Sequence, residues 1–119
     1  MEVKIKIVVF KHPEPQTWGQ YCGYCSSNGY FCSGKDASDI SNKILGVLTF
    51  ELQQRKKFPG HLQKRGWKIC GNSIIPPNFA DEELIRHAEE SYVLKIKEPL
   101  IIELNDGTIY NPNHLFGFL

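Results

Sequence analysis

Residues 18–34, WGQYCGYCSSNGYFCSG, decide the fold because they contain two strand-like runs separated by one short turn signal. Residues 18–25 form the first run, and residues 30–33 form a second β-prone run that ends at Gly34. Between them lies Ser26-Ser27-Asn28-Gly29, in which Asn-Gly is a strong hairpin signal because both residues tolerate a positive φ. The stretch therefore predicts a β-hairpin that forms the second and third strands of the fold.

The chain before the hairpin predicts the first strand. Charged and aliphatic side chains alternate in residues 1–10, and the aliphatic face is made of Val3, Ile5, Ile7 and Val9. Val8 and Phe10 replace the lysines on the opposite face, which predicts a strand whose end is buried on both sides. The segment His12-Pro13-Glu14-Pro15 then ends the strand, because proline cannot donate a hydrogen bond to a ladder.

The chain after the hairpin predicts the longest helix. Asp36 is a good N-cap residue, because its carboxylate can accept a hydrogen bond from the first turn. We expect the helix to run to about Lys57, where Phe58-Pro59-Gly60 stops it. Its apolar positions recur at helical spacing and are expected to pack on the sheet: Ile40, Ile44, Val47 and Leu48.

The second half of the chain carries weaker signals. We predict a strand over residues 67–75, a helix over 82–91, and strand-like segments over 92–97 and 100–104. A last short strand is predicted at 108–110, after an Asn-Asp-Gly turn. The order is β-β-β-α-β-α-β. It predicts an α+β domain with a mainly antiparallel sheet and the long helix packed on one face.

The composition is that of an ordinary globular domain. The chain has 119 residues, 41% of them hydrophobic and 23% charged, and this length can bury one modest core. Its longest apolar run covers only residues 7–10, whereas a membrane-spanning helix needs about 18 apolar residues. We therefore expect a single domain over 1–119, ending in a strand and loop extension, in a soluble cytoplasmic protein with no membrane partner.

Charge is distributed unevenly, although the net charge is only +1. Residues 1–80 hold 11 Lys or Arg and 5 Asp or Glu, whereas residues 81–119 hold 3 and 8. One hypothesis is that the basic stretch 55–68 binds nucleic acid with help from hairpin aromatics, in which case the contact residues are Arg55, Lys56, Lys57, Lys64, Arg65 and Lys68. The alternative is that these residues only end a helix and solvate a loop.

The residues that most often carry chemistry form no recognisable site. Four thiols could be counted as zinc ligands: Cys22, Cys25, Cys32 and Cys70. The odd spacing of Cys22 and Cys25 places them on opposite faces of a strand, so we favour buried, reduced thiols and keep a structural or metal-binding role as an alternative. The histidines are scattered and the carboxylates do not cluster. We therefore predict no metal, no cofactor, no catalytic residue and no enzymatic activity.

The order of segments in residues 3–52 is similar to that of a known family. The matching segments are Ile5-Lys-Ile-Val-Val, Trp18-Gly-Gln-Tyr-Cys-Gly-Tyr-Cys25, Gly29-Tyr-Phe-Cys-Ser-Gly34 and residues 36–48. This series of aliphatic strand, aromatic-Cys strand, turn, short strand and amphipathic helix resembles the HicB-like antitoxin domain. The turn is one residue shorter than is usual and lacks proline, residues 55–119 match less well, and no DNA-binding extension is recognised.

The resemblance implies a partial ribonuclease-H-like fold without nuclease carboxylates, a homodimer, and a protein partner. The partner it implies is a small basic toxin, HicA, which cleaves mRNA. Because such a toxin is basic, we predict that it docks on the acidic segment 81–106, through Glu82, Glu83, Glu89 and Glu90. A HicB-like antitoxin is thus the first expectation for function, an RNA-binding module is the second, and a structural or metal-binding protein is the third.

Overall fold

The computed structural model describes residues 4–14, 20–55, 57–70 and 73–105. Its elements are β1 (Lys4–Lys11), β2 (Tyr21–Cys25), β3 (Tyr30–Gly34), α1 (Ala37–Gln53), α2 (Pro59–Gln63), β4 (Lys68–Cys70), β5 (Ser73–Ile75), α3 (Asp81–Tyr92) and β6 (Leu100–Asn105). A four-stranded sheet has the order β3-β2-β1-β6, and β4 pairs with β5 in a separate hairpin. All these pairings are antiparallel, so the predicted α+β class is confirmed.

Strand β1 separates two cores, one on each face of the sheet. Ile5, Ile7 and Val9 face α1, whereas Val8 and Phe10 face α3. Helix α1 buries four apolar residues against its face of the sheet: Ile40, Ile44, Leu48 and Leu52. The alternation predicted for β1 and the packing of the long helix on one face are therefore confirmed. Val47, placed in the stripe by its spacing, is only half-buried.

Helix α1 begins where the sequence predicts but ends earlier. The backbone N–H of Asp39 donates to Oδ1 of Asp36 over 2.8 Å, so Asp36 is the N-cap. The helix stops at Gln53 rather than at Lys57, and that part of the prediction was wrong. The segment expected to stop it begins α2 instead, because proline is well suited to the first turn of a helix.

The hairpin between β2 and β3 has a four-residue turn. Cys25 pairs with Tyr30, and the backbone N–H of Gly29 donates to the carbonyl of Cys25 over 2.8 Å. Gly29 has a φ of +73°, whereas Asn28 does not adopt a positive φ. The Asn-Gly signal therefore marked the correct turn, but only the glycine uses the left-handed region.

The second half of the chain departs further from the sequence prediction. The single strand expected over residues 67–75 is two short strands, β4 and β5, that pair with each other. Residues 92–97 are not a strand, because Tyr92 belongs to α3 and a loop follows it. The strand expected over 100–104 is confirmed as β6, whereas 108–110 lie outside the described residues. Within the described ranges, no helix is both long and apolar enough to cross a membrane.

Candidate functional site

A groove of about 630 Å³ lies between the C-terminal end of α1 and helix α2. This volume is within the range of about 300–1,000 Å³ typical of ligand-binding pockets. We call it the α1–α2 groove. Its lining residues are Phe50, Glu51, Gln54, Lys57, Phe58, Gly60, His61 and Lys64.

The two helices present these side chains because of their spacing. Phe50 lies on α1 and Gln54 is its C-cap four residues later, while His61 lies on α2 and Lys64 is its C-cap three residues later, so each pair shares a helix face. Leu62, on another side of α2, is buried in the core of the α1 face. This anchor holds the short helix against the body of the protein.

The turn that follows α2 is tied to the hairpin. The indole N–H of Trp67 donates to the carbonyl of Ser27 over 2.6 Å, and Trp67 is itself buried in the core. The guanidinium of Arg65 lies against Gly29, where an added Cβ would be 2.5 Å from Cζ of Arg65. Helix α2, which forms one wall of the groove, is therefore held by Leu62 in the core and by the contacts of Arg65 and Trp67 with the hairpin turn.

Glu51 is the acidic residue of the groove, and both of its carboxylate oxygens are engaged. Oε1 accepts a hydrogen bond from Nδ2 of Asn28 over 2.7 Å, and Oε2 accepts one from Nε2 of His61. Oδ1 of Asn28 accepts a further bond from the backbone N–H of Tyr30 over 3.1 Å. One carboxylate, with a side chain only 12% exposed, therefore joins the hairpin turn, α1 and α2.

Two phenylalanine rings stand open in the groove. Phe50 is 55% exposed and Phe58 is 60% exposed, and Nζ of Lys57 lies 6.0 Å from the centre of the Phe58 ring. The sequence predicts stacking rings in the hairpin, where Tyr24 is buried and Phe31 is 59% exposed but packs against Tyr92 on the α3 side. The signal that could have found Phe50 and Phe58 was their position beside the basic stretch, away from the apolar stripe of α1.

The basic residues predicted to bind nucleic acid have different environments. Lys57 and Lys64 line the α1–α2 groove. Lys68 is exposed on β4, and Arg65 is exposed although it contacts the hairpin turn. Lys57 and Lys64 therefore place positive charge in the groove, while Arg65 adds positive charge at the hairpin turn and Lys68 on β4.

The other two basic residues do not join this group. Arg55 is half-buried, and its Nη1 donates to the carbonyl of Leu52 over 2.6 Å, so this side chain completes the end of α1. The predicted contact of Arg55 with nucleic acid stays a prediction, with this bond already engaging one end of the guanidinium. Lys56 lies outside the described residues.

The glutamates predicted to bind a toxin are only partly available. Oε1 of Glu83 accepts a bond from the backbone N–H of Ala80 over 3.1 Å at the start of α3. Oε2 of Glu89 accepts one from the backbone N–H of Ile96 over 2.9 Å, beyond the helix end. Glu82 and Glu90 are exposed, and Glu90 lies 3.9 Å from Nε of Arg86. Half of the predicted acidic surface therefore stabilises the ends of α3.

The four cysteines are free thiols. Cys22 faces the α3 core and Cys25 faces the α1 core, so the predicted opposite orientation is confirmed. Burial raises the pKa of Cys25 to about 11 and that of Cys32 to about 11, which disfavours the reactive thiolate. Cys70 is exposed, so the expectation that all four thiols are buried was wrong for it. Among the described residues, no three His, Cys, Asp or Glu side chains lie close enough to hold a metal.

Two histidine pairs were not anticipated from the sequence. Besides the bond between His61 and Glu51, Nδ1 of His87 is hydrogen-bonded to Oγ of Ser26 over 2.9 Å. Ser26 is only 7% exposed in the hairpin turn, and no carboxylate of the described chain bonds the His87 ring. This pair joins the hairpin to α3, and its buried hydroxyl is poorly placed to reach a substrate.

Residues 3–52, which carry the resemblance to the HicB-like domain, contain β1, β2, β3 and all but the last residue of α1. Comparisons of the chain with protein-family models, curated proteins and solved structures found no match. The resemblance therefore stays a prediction.

Proposed function

We propose that the protein is a non-enzymatic module that binds RNA through the α1–α2 groove and the cations beside it. The observation that carries the proposal is unpaired positive charge at Lys57, Lys64, Arg65 and Lys68. All four are exposed, and none forms an ion pair with a carboxylate in residues 4–14, 20–55, 57–70 or 73–105. Free cations of this kind neutralise phosphates and release condensed counterions.

The groove supports this proposal because its acidic residue does not compete for the lysines. Both oxygens of Glu51 are bonded, to Asn28 and to His61, and its side chain is largely buried. Lys57 and Lys64 therefore keep their charge available for a ligand. The open rings of Phe50 and Phe58 add apolar contact area at the same place.

Fluorescence anisotropy with a labelled short single-stranded RNA, repeated at several salt concentrations, tests the proposal. We expect affinity to fall steeply as salt rises. Lys57→Glu with Lys64→Glu should weaken binding about tenfold or more at low salt, because two phosphate contacts become repulsive. Thermal unfolding should change little, since exposed charges contribute only about 0–1 kcal/mol to stability.

The matched control is Lys95→Glu with Lys97→Glu. These lysines are also exposed, but they lie in the loop after α3 rather than in the groove. The double change alters the net charge by the same amount and should leave RNA binding much closer to that of the parent. The proposal is wrong if the parent binds no RNA at low salt, or if both double variants weaken binding equally.

A second proposal, a HicB-like antitoxin that covers a small basic toxin as a homodimer, rests on the order of elements. The described residues within 3–52 form β1, the β2–β3 hairpin and then all but the last residue of α1, in the order of the resembling family, which supports it. Glu82 and Glu90 are the glutamates of α3 with exposed side chains for a basic partner. A small basic protein that co-purifies with the parent, but not with Glu82→Lys and Glu90→Lys, would favour this proposal over RNA binding.

A further inference from the structure

Phe50 and Phe58 enter one cavity from different elements. Phe50 belongs to α1, and Phe58 immediately precedes α2. More than half of each side chain is in contact with solvent, which is unfavourable for a large apolar ring. Two open rings on one groove, rather than scattered over the surface, indicate a surface that a ligand covers.

We propose that the α1–α2 groove binds an unpaired base of single-stranded RNA against Phe50 and Phe58, with neighbouring phosphates on Lys57 and Lys64. This inference rests on the proposed RNA-binding function and names the form of RNA that the site accepts.

The charges of the groove favour a base over an apolar peptide or a lipid chain. A ligand here meets exposed rings and two unpaired lysines, while the carboxylate of Glu51 is already bonded. A nucleotide combines an aromatic face with an adjacent anion and so matches both. Stacking of a base on an aromatic side chain is the usual basis of single-strand binding.

The same rings favour a single strand over a duplex. In an RNA duplex the faces of the bases are covered by their neighbours, and side chains reach mainly phosphates and 2′-hydroxyls. A surface that used only Lys57 and Lys64 would accept either form. The rings of Phe50 and Phe58 can stack only on a base whose face is not covered by neighbouring bases, which is a base of single-stranded RNA.

His61 is positioned to contact the edge of the bound base. Its Nε2 is held by Glu51, and Asn28 in turn orients Glu51, so the ring orientation is fixed from the hairpin. This leaves Nδ1 as the ring atom able to bond a ligand. The His61 side chain is 58% exposed and lines the groove.

The experiment compares the affinity for one labelled single-stranded RNA with the affinity for the same strand annealed to its complement. We expect the parent to bind the single strand at least about tenfold more tightly. Phe50→Ala and Phe58→Ala should each weaken single-strand binding about five- to hundredfold and leave duplex binding nearly unchanged. The matched control is Phe31→Ala, since Phe31 is 59% exposed but contacts α3 on the other face of the sheet.

Gly60→Leu provides a second variant that does not remove any side chain. A Cβ at Gly60 would meet nothing within 4 Å, and Gly60 lines the groove, so we expect a larger side chain here to occupy part of it. We expect the variant to weaken single-strand binding and to leave thermal unfolding unchanged or slightly improved. Unaltered binding in this variant would show that the base lies elsewhere.

The outcomes separate this inference from the proposed function. Equal binding of single strand and duplex, with the phenylalanine variants like the parent and the lysine variant weakened, would overturn the base site and leave RNA binding in place. No RNA binding at all would overturn the proposed function. In that case, adenosine monophosphate is titrated into the protein and followed by NMR, which measures whether the groove binds a single nucleotide. If the signals of Gly60, His61 and Lys64 do not shift, the base site is overturned as well.

Discussion

The charged side chains of the α1–α2 groove and those at the two ends of α3 are used in different ways. In the groove, Lys57 and Lys64 have no carboxylate partner among the described residues. On α3, Asp81 lies 3.3 Å from Nζ of Lys6, while Glu83 and Glu89 bond backbone amides at the helix ends. A run of like charges in a sequence therefore locates charge but does not show whether that charge is free to meet a partner.

The two faces of the sheet also differ in how they are held together. Among the described residues, the α1 core contains 12 buried residues and the α3 core contains six, so most of their apolar burial lies on the α1 side. Helix α3 relies more on Tyr92, whose ring meets Phe10 at 5.1 Å. The Tyr92 hydroxyl donates toward the carbonyls of Gly23 and Cys32, at 2.9 and 3.0 Å. We expect the largest losses of stability from changes on the α1 face.

The strongest test of that difference is Ile44→Asp. Ile44 is fully buried between α1 and the sheet, so the variant places an unpaired charge in the larger core. The cost should be several kcal/mol out of a total stability of about 5–15 kcal/mol, enough to unfold much of the protein. Circular dichroism of the variant during heating measures it. Unfolding like that of the parent would mean that α1 does not pack on the sheet.

A smaller loss of stability is expected from the glutamates of α3 that accept backbone hydrogen bonds than from Ile44, and none of note from the exposed glutamates. Glu83→Ala with Glu89→Ala removes two acceptors of backbone bonds and should lower the free energy of unfolding by about 1–2 kcal/mol. Glu82→Ala with Glu90→Ala is the matched control and should change it by less than about 0.5 kcal/mol. Urea unfolding of both double variants gives the comparison. Equal losses would show that the backbone bonds of Glu83 and Glu89 do not stabilise α3.

The smallest effect is the contribution of Cys25, buried in the α1 core, to the pH dependence of stability. Burial raises the pKa of this thiol from 9.0 to about 11, so the unfolded chain ionises first. The stability contribution is complete below about pH 9 and is lost as pH rises toward 11, with about 1 kcal/mol lost by pH 10. The difference in unfolding free energy between the parent and Cys25→Ala should shrink by that amount between pH 8 and pH 10. Parallel pH profiles would contradict the burial of Cys25.

The first half of the chain was predictable because its signals are local. Asp36 caps α1 through a bond to Asp39, three residues away, and Gly29 supplies the positive φ of the hairpin turn. The odd spacing of Cys22 and Cys25 placed them on opposite faces, because side chains alternate along a strand. These features depend on neighbours within a few residues, which the sequence displays directly.

The second half was less predictable because tertiary contacts chose between local alternatives. A proline can follow the end of one helix or lie in the first turn of the next. Pro59 begins α2 here, and Leu62 and Trp67, which follow it, are buried in the core. Residues 92–97 have a strand-like composition, but the hydroxyl bonds of Tyr92 hold it in α3, and β6 takes the edge of β1 instead. Val93 ends the helix with a φ of 55°, a conformation that composition does not indicate for a β-branched residue.

The sequence by itself determined the α+β class, the two-faced first strand, the hairpin, the start of α1 and the location of the basic stretch. Only the tertiary structure decided which charges are free and that Phe50 and Phe58 share a groove. The reason is the range of the interactions involved. Glu51 is occupied by Asn28, 23 positions earlier, and by His61, ten positions later, and such contacts form only when the hairpin, α1 and α2 have come together.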